Sequence, residues 1–293
     1  MNVAKLRLNK TTLILAAGLL LALKVKADDG PPPKPDLNFE VGAGSMYMPA
    51  FIGSKTYQLM LVPDLRITYK DDFFASYEDG VGYNLYNSDG WRAGPLMRYE
   101  FGRNEDGANP LRVAGPKSNA LRGLGNISDT LELGGFADYT WDKWNAKAEL
   151  LQGVNGAKGF VSNLSLSYAA DISHTFYREG PPLIVSMGPD ATLVGGAYNR
   201  TYFGVDAKQS TNSGLPRYDA GGGVLKYGLE SVLILPVTYK ITATLIAGYH
   251  RLSGDAAKSP LIRERGTPNQ AGIGIFFTYS IGFSRQNAKR ENQ

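Results

Sequence analysis

His174 and His250 are the only imidazoles in this 293-residue chain, and there is no cysteine. His250 stands three residues before Ser253 and near Glu264, which are the residue types of a Ser-His-Glu triad. A triad requires a geometry that spacing does not supply. The plainer reading makes His250 the next member of a polar row with Lys240, Thr242 and Thr244. His174 falls in a turn. Two isolated histidines cannot build the usual nitrogen and sulfur metal cluster. Asp71-Asp72 and Glu105-Asp106 offer hard oxygens suited to Ca²⁺, but such a site gathers about six to eight of them. In loops, these acidic pairs are expected to meet solvent. Gly221-Gly222-Gly223 opens a strand, so it is not a phosphate-cradling loop before a helix. No catalytic, cofactor-binding or metal-binding residue is predicted, no cofactor is implied, and the chain is expected not to be an enzyme.

Charged residues recur instead on every second position of extended segments. Arg92, Arg98 and Glu100 alternate with Trp91, Ala93, Met97, Tyr99 and Phe101. Glu132 and Asp138 oppose Leu131, Leu133, Tyr139 and Trp141, and Lys147 and Glu149 alternate with Ala146, Ala148 and Leu150. Asp64 and Arg66 sit between Leu61, Leu65 and Ile67. Period two marks strands with one apolar and one polar face. The last segment, Gln270 to Phe283, sets Phe277, Tyr279, Ile281 and Phe283 against Thr278, Ser280 and Gly282. Short turns such as Tyr69–Phe73, Tyr86–Gly90 and Trp141–Trp144 contrast with long polar loops at Gly102–Asp129, Gly195–Ala220 and Ser253–Pro268. That division is how outer-membrane β-barrels are built. The expected fold is all-β, an antiparallel transmembrane barrel over residues 37–283. About eleven segments are legible. Twelve strands are expected, with Tyr198–Val205 a candidate for the twelfth and ten strands the alternative.

A barrel of that size has a narrow interior. The mixed charges that face it should pair and fill it, leaving function to the rims. Residues 1–27 read as a cleaved signal peptide, with Lys5, Arg7 and Lys10 before an apolar core from Thr11 to Leu23. That core is shorter than the ~20 residues of a spanning helix. The leader holds five of the 31 basic residues and none of the 27 acidic ones, which leaves 26 against 27. The apparent basicity therefore belongs to the leader, and nucleic acid is not implied as a partner. Residues 28–36 form a Pro-rich periplasmic linker, and 284–293 a polar tail.

A succession of short motifs adds a resemblance. Tyr47-Met-Pro49-Ala-Phe51-Ile-Gly53-Ser54 is followed by Phe73-Phe74, Gly82-Tyr83-Asn84, Gly102-Arg103, Leu121-Arg-Gly-Leu-Gly125 and Glu132-Leu-Gly-Gly-Phe136. Tyr202-Phe203-Gly204-Val205, Ser213-Gly214-Leu215-Pro216 and Tyr218-Asp-Ala220-Gly221 come next. The most specific is Leu252-Ser-Gly254-Asp255-Ala256-Ala257-Lys-Ser259-Pro260. From about Leu37 to Phe283 the chain resembles the MipA/OmpV family of outer-membrane proteins (MltA-interacting protein). Phe51 stands where that family has Tyr, and the tail carrying Arg285, Lys289 and Arg290 extends past its usual end. The resemblance implies localisation in the outer membrane of a Gram-negative bacterium, in contact with lipid and lipopolysaccharide. For the founding member it also implies a scaffold linking a murein transglycosylase to a peptidoglycan synthase. The alternative function is a surface adhesin or antigen, or a narrow solute or antibiotic uptake channel.

Overall fold

The computed structural model describes residues 34–173 and 181–283. The segment read as a signal peptide, most of the Pro-rich stretch, His174 and the polar tail lie outside the described residues. One antiparallel sheet closes on itself, because β1 (Leu37–Pro49) pairs with both β2 (Tyr57–Tyr69) and the final strand β14 (Asn269–Phe283). Between them run β3 (Phe73–Ser76), β4 (Gly80–Tyr83), β6 (Trp91–Glu100), β8 (Thr130–Trp141), β9 (Trp144–Gly153) and β10 (Gly159–Asp171). β11 (Ile184–Val194), β12 (Gly223–Pro236) and β13 (Ile241–Leu252) complete the twelve staves. β5 (Tyr86–Ser88) continues the β4 stave along β6 after a break at Asn84-Leu85. β7 (Arg112–Ala114), from the long loop after β6, pairs with the upper end of β2.

The alternation seen in sequence becomes the two faces of the wall. Outward rows are apolar and bare: Leu229 is 63% exposed, Leu61 54% and Phe277 50%. An apolar band of this extent is stable against hydrocarbon rather than water. At the end where both termini lie, Trp91, Tyr139, Trp141, Trp144 and Tyr168 form a ring ladder across four strands, with centroids 4.5–6.4 Å apart. This is an interfacial aromatic girdle. The connections at that end are tight. Lys70, Asp89 and Asp142 adopt left-handed φ of 52°, 52° and 49° in turns that leave little slack.

Tyr198–Val205 is not a strand. Residues Gly196–Phe203 form helix α1, followed by α2 (Ala207–Ser213) with a capping box between Asp206 and Gln209. Tyr198 and Tyr202 are four residues apart, so they share one helix face and stack at 4.6 Å. The missing stave comes from the β3–β4 hairpin, whose strands are only four residues each. Counting this hairpin as two staves keeps all three long loops at the end opposite the termini. Phe74 from this hairpin lies over Gly82, where a Cβ would sit 2.2 Å from its ring, and meets Phe136 edge-on at 5.5 Å.

Candidate functional site

Three regions hold the polar and chemical groups: one charged half of the lumen, its apolar half, and a folded cap over the mouth opposite the termini. The charged half rests on β6, β8 and β9. Arg98 places Nη2 3.0 Å from Glu132 Oε2 and Nη1 2.9 Å from Glu149 Oε2. Lys147 Nζ lies 2.8 Å from Glu149 Oε1 and 3.6 Å from Asp79, which also receives Arg66 at 3.0 Å. Arg92 meets Asp138 at 3.2 Å. Glu132 is 2% exposed and Glu149 7%, so their desolvation is offset by these cations and, at Glu149, by the Asn163 side-chain amide, which donates to it at 3.1 Å. Pairing of opposite inward charges, expected from the sequence, is what this half contains.

The other half departs from that expectation. Met46, Met60, Val62, Val232, Ile246 and Phe276 line a cavity of about 710 Å³. Sequence reasoning missed them, although a signal existed. Met60-Leu61-Val62, Leu245-Ile246-Ala247 and Ile275-Phe276-Phe277 are unbroken apolar triplets inside otherwise alternating strands, which means both faces are apolar there.

His250 faces the lumen from β13, and its Nε2 lies 2.9 Å from both carboxylate oxygens of Asp190 on β11. Ser253 is the N-cap of α3 (Gly254–Lys258), and Glu264 is exposed on the helical turn Leu261–Arg265. The structure thus brings His250 to Asp190 and assembles no Ser253–His250–Glu264 relay. Of the acidic pairs, Asp71 is bonded to Lys34, Asp106 to Lys117, and Glu105 accepts from the Gly123 amide.

The cap is a small hydrophobic core built by the three long loops. Leu121, Phe203, Leu215, Leu261 and Ile262 pack against Val161, Val194, Leu225 and Leu252 at the upper ends of the staves. Each large apolar side chain so buried contributes about 1.5–3 kcal/mol. Polar groups tie the loops together. Both Tyr198 and Tyr202 hydroxyls donate to Glu100 Oε1, at 3.0 and 3.2 Å. Burial, with Glu100 alongside, pushes both phenols up. Arg103 donates to the Tyr202 carbonyl at 2.6 Å and stands over its ring at 5.8 Å. Loss of hydration pulls its guanidinium down to about 10. Ser259 Oγ reaches the Phe203 carbonyl at 2.6 Å, and Asp255 accepts from the Gly221 amide at 2.8 Å. Gln58 clamps the β7 loop, donating to the Gly107 and Pro116 carbonyls and accepting from the Asn109 amide at 2.8–3.0 Å. The motifs around 202–205, 213–221 and 252–260 are therefore parts of this cap.

No curated protein matches the chain by sequence. Solved structures with a similar course include OprB of Pseudomonas putida at 11% identity and TM-score 0.37, covering 77% of this chain and 59% of that one. OprD of Pseudomonas aeruginosa aligns at 11% identity and TM-score 0.31, covering 84% and 66% respectively. The channel DcaP of Acinetobacter baumannii gives 10% identity and 0.31, covering 84% and 96%. The chain spans less than two thirds of the length of OprB and OprD. Residues 41–281, from within β1 to within β14, match the family described as MltA-interacting protein MipA. With its closed twelve-stave sheet and lipid-facing apolar band, the chain is an outer-membrane β-barrel protein that belongs to the MipA family.

Proposed function

We propose that this barrel is a non-enzymatic scaffold that binds a murein transglycosylase, and with it a peptidoglycan synthase, at its periplasmic rim. Support for the transglycosylase comes from the family's own description as MltA-interacting. The observation that carries the choice of rim is the asymmetry of the two ends. The outer mouth is closed over by a packed core, whereas the rim beside the termini presents tight charged turns at Lys70–Asp72, Asp89-Gly90 and Asp142-Lys143. Rigid turns hold their side chains in place at little entropic cost on binding, which favours a defined docking face.

The test is chemical crosslinking of the tagged, full-length chain in native envelopes, followed by identification of the captured proteins. Joint recovery of a transglycosylase and a synthase, reduced by Lys70→Glu with Lys143→Glu, is the expected result. Recovery of neither contradicts the proposal.

A further inference from the structure

The barrel wall is incomplete at mid-height. The β3–β4 hairpin pairs with β2 only over Arg66–Tyr69 and with β6 only at Leu96 and Met97, and its turn donates from the Tyr77 amide to the Leu65 carbonyl. Higher up, β7 covers Leu59 and Met60, and the Leu61 amide donates to the Leu111 carbonyl. Between these two patches, among the described residues, no strand pairs with the Val62–Asp64 stretch on this edge of β2. Arg98–Glu100 of β6 likewise have no strand partner on the facing side.

The residue whose amide would point into this opening is Pro63. Leu61 and Leu65 turn their backbone groups to the same edge, and Pro63 is the residue between them in that alternation. Proline has no N–H to leave unsatisfied in hydrocarbon. Pro63 is also the middle of a thirteen-residue strand, so the opening lies near the bilayer midplane. The aromatic rings of Tyr77 and Phe101 meet across it at 6.1 Å.

Behind the opening is the apolar half of the lumen. Pro63 and Phe101, which belong to outward rows, line the same 710 Å³ cavity as the inward Met46, Met60, Ile246 and Phe276. The cavity therefore runs from the lumen to the lipid face, and its volume falls in the range of ligand pockets, about 300–1,000 Å³. Unbranched, polarizable Met side chains adapt to a flexible occupant. Its charged lining is Glu40, Asp64, Glu78, Glu230 and one cation, Arg66, which already lies 3.0 Å from Asp79. An anionic head has no free counter-charge there.

We infer that this opening admits one hydrocarbon chain of an amphiphile with an uncharged or cationic head from the bilayer into the lumen. Entry at the midplane needs no passage through the capped mouth. The inference stands independently of the docking partner at the periplasmic rim.

The methionines provide the test. Met46, Met48 and Met60 line the cavity, whereas Met97 and Met187 are exposed on outward rows. With methyl-¹³C-methionine in the mature chain, held in nanodiscs of perdeuterated lipid, added protonated monopalmitoylglycerol is expected to give chain contacts to Met46, Met48 and Met60. A second sample with protonated lipid and no additive distinguishes the sources, since lumen contacts there identify a bilayer lipid as occupant. Ile246→Trp, and separately Val62→Trp, each checked for folding by heat-modifiable migration, should weaken the lumen contacts at least about tenfold in apparent affinity. Contacts confined to Met97 and Met187 in both samples overturn the inference. Palmitate binding as tightly as monopalmitoylglycerol overturns the choice of head group.

Discussion

Arg98 is the cation on which the charged half of the lumen depends most. Arg98→Met keeps the length and apolar stem of the side chain but leaves Glu132 without its guanidinium. Breaking a buried pair by removing one partner costs about 3–5 kcal/mol. Two facts place the expected loss near the lower end. Glu149 keeps Lys147 at 2.8 Å, and the Arg98 side chain is itself 21% exposed to the lumen. Glu100, which stands beside Glu132, is another acidic group and brings no positive charge to replace the guanidinium. We therefore expect a loss of about 3 kcal/mol for Arg98→Met. The assay is urea unfolding of the mature chain refolded into lipid vesicles, read by emission from Trp91, Trp141 and Trp144 in the aromatic girdle. Adding Glu132→Gln removes the stranded charge and should recover at least about 1 kcal/mol of that loss. A single variant within about 0.5 kcal/mol of the parent, or a double variant no better than the single, refutes the claim that this ion pair is buried and mutually compensated.

Further outcomes follow from the same geometry. In planar bilayers the parent chain should show no large, stable conductance, because paired charges and the cap obstruct the lumen; a wide, steady open level contradicts this. Glu100→Ala removes the shared acceptor of Tyr198 and Tyr202, and with hydrogen bonds to charged groups worth about 1.5–3 kcal/mol each, it should make the 195–222 loop cleavable by added protease in intact cells. Gln58→Leu removes three side-chain hydrogen bonds to the β7 loop, leaves its backbone pairing with β2, and should raise hydrogen exchange at Asn109 and Leu111 without unfolding the barrel.

The architecture was legible wherever a strand is long and two-faced. Trp91–Glu100, Thr130–Trp141 and Trp144–Gly153 each alternate over ten or more residues, so the period alone assigns them. The β3–β4 hairpin was not legible as a pair of staves, since four residues cannot establish a period. Tyr198–Val205 misleads for a related reason. An eight-residue helix shows only one i,i+4 repeat, and its aromatic residues suit a strand equally well. The paired charges of the lumen could be foreseen because inward charges of both signs face each other in a narrow barrel. The apolar half could not be reached by the same rule, which takes inward positions to be polar. The cap was invisible as a core because its residues come from three loops separated by stretches of strand, and only the closed barrel brings Leu121, Phe203 and Leu261 together.

The scaffold account stands on which end of the barrel meets its partner. A photo-crosslinking amino acid placed at Lys143, in a turn at the end that carries the termini, and in a separate strain at Lys208, exposed on α2 of the cap, compares the two ends directly in living cells. The account predicts that the Lys143 position crosslinks to a murein transglycosylase and the Lys208 position does not. Crosslinks to protein from Lys208 alone, with none from Lys143, would contradict it.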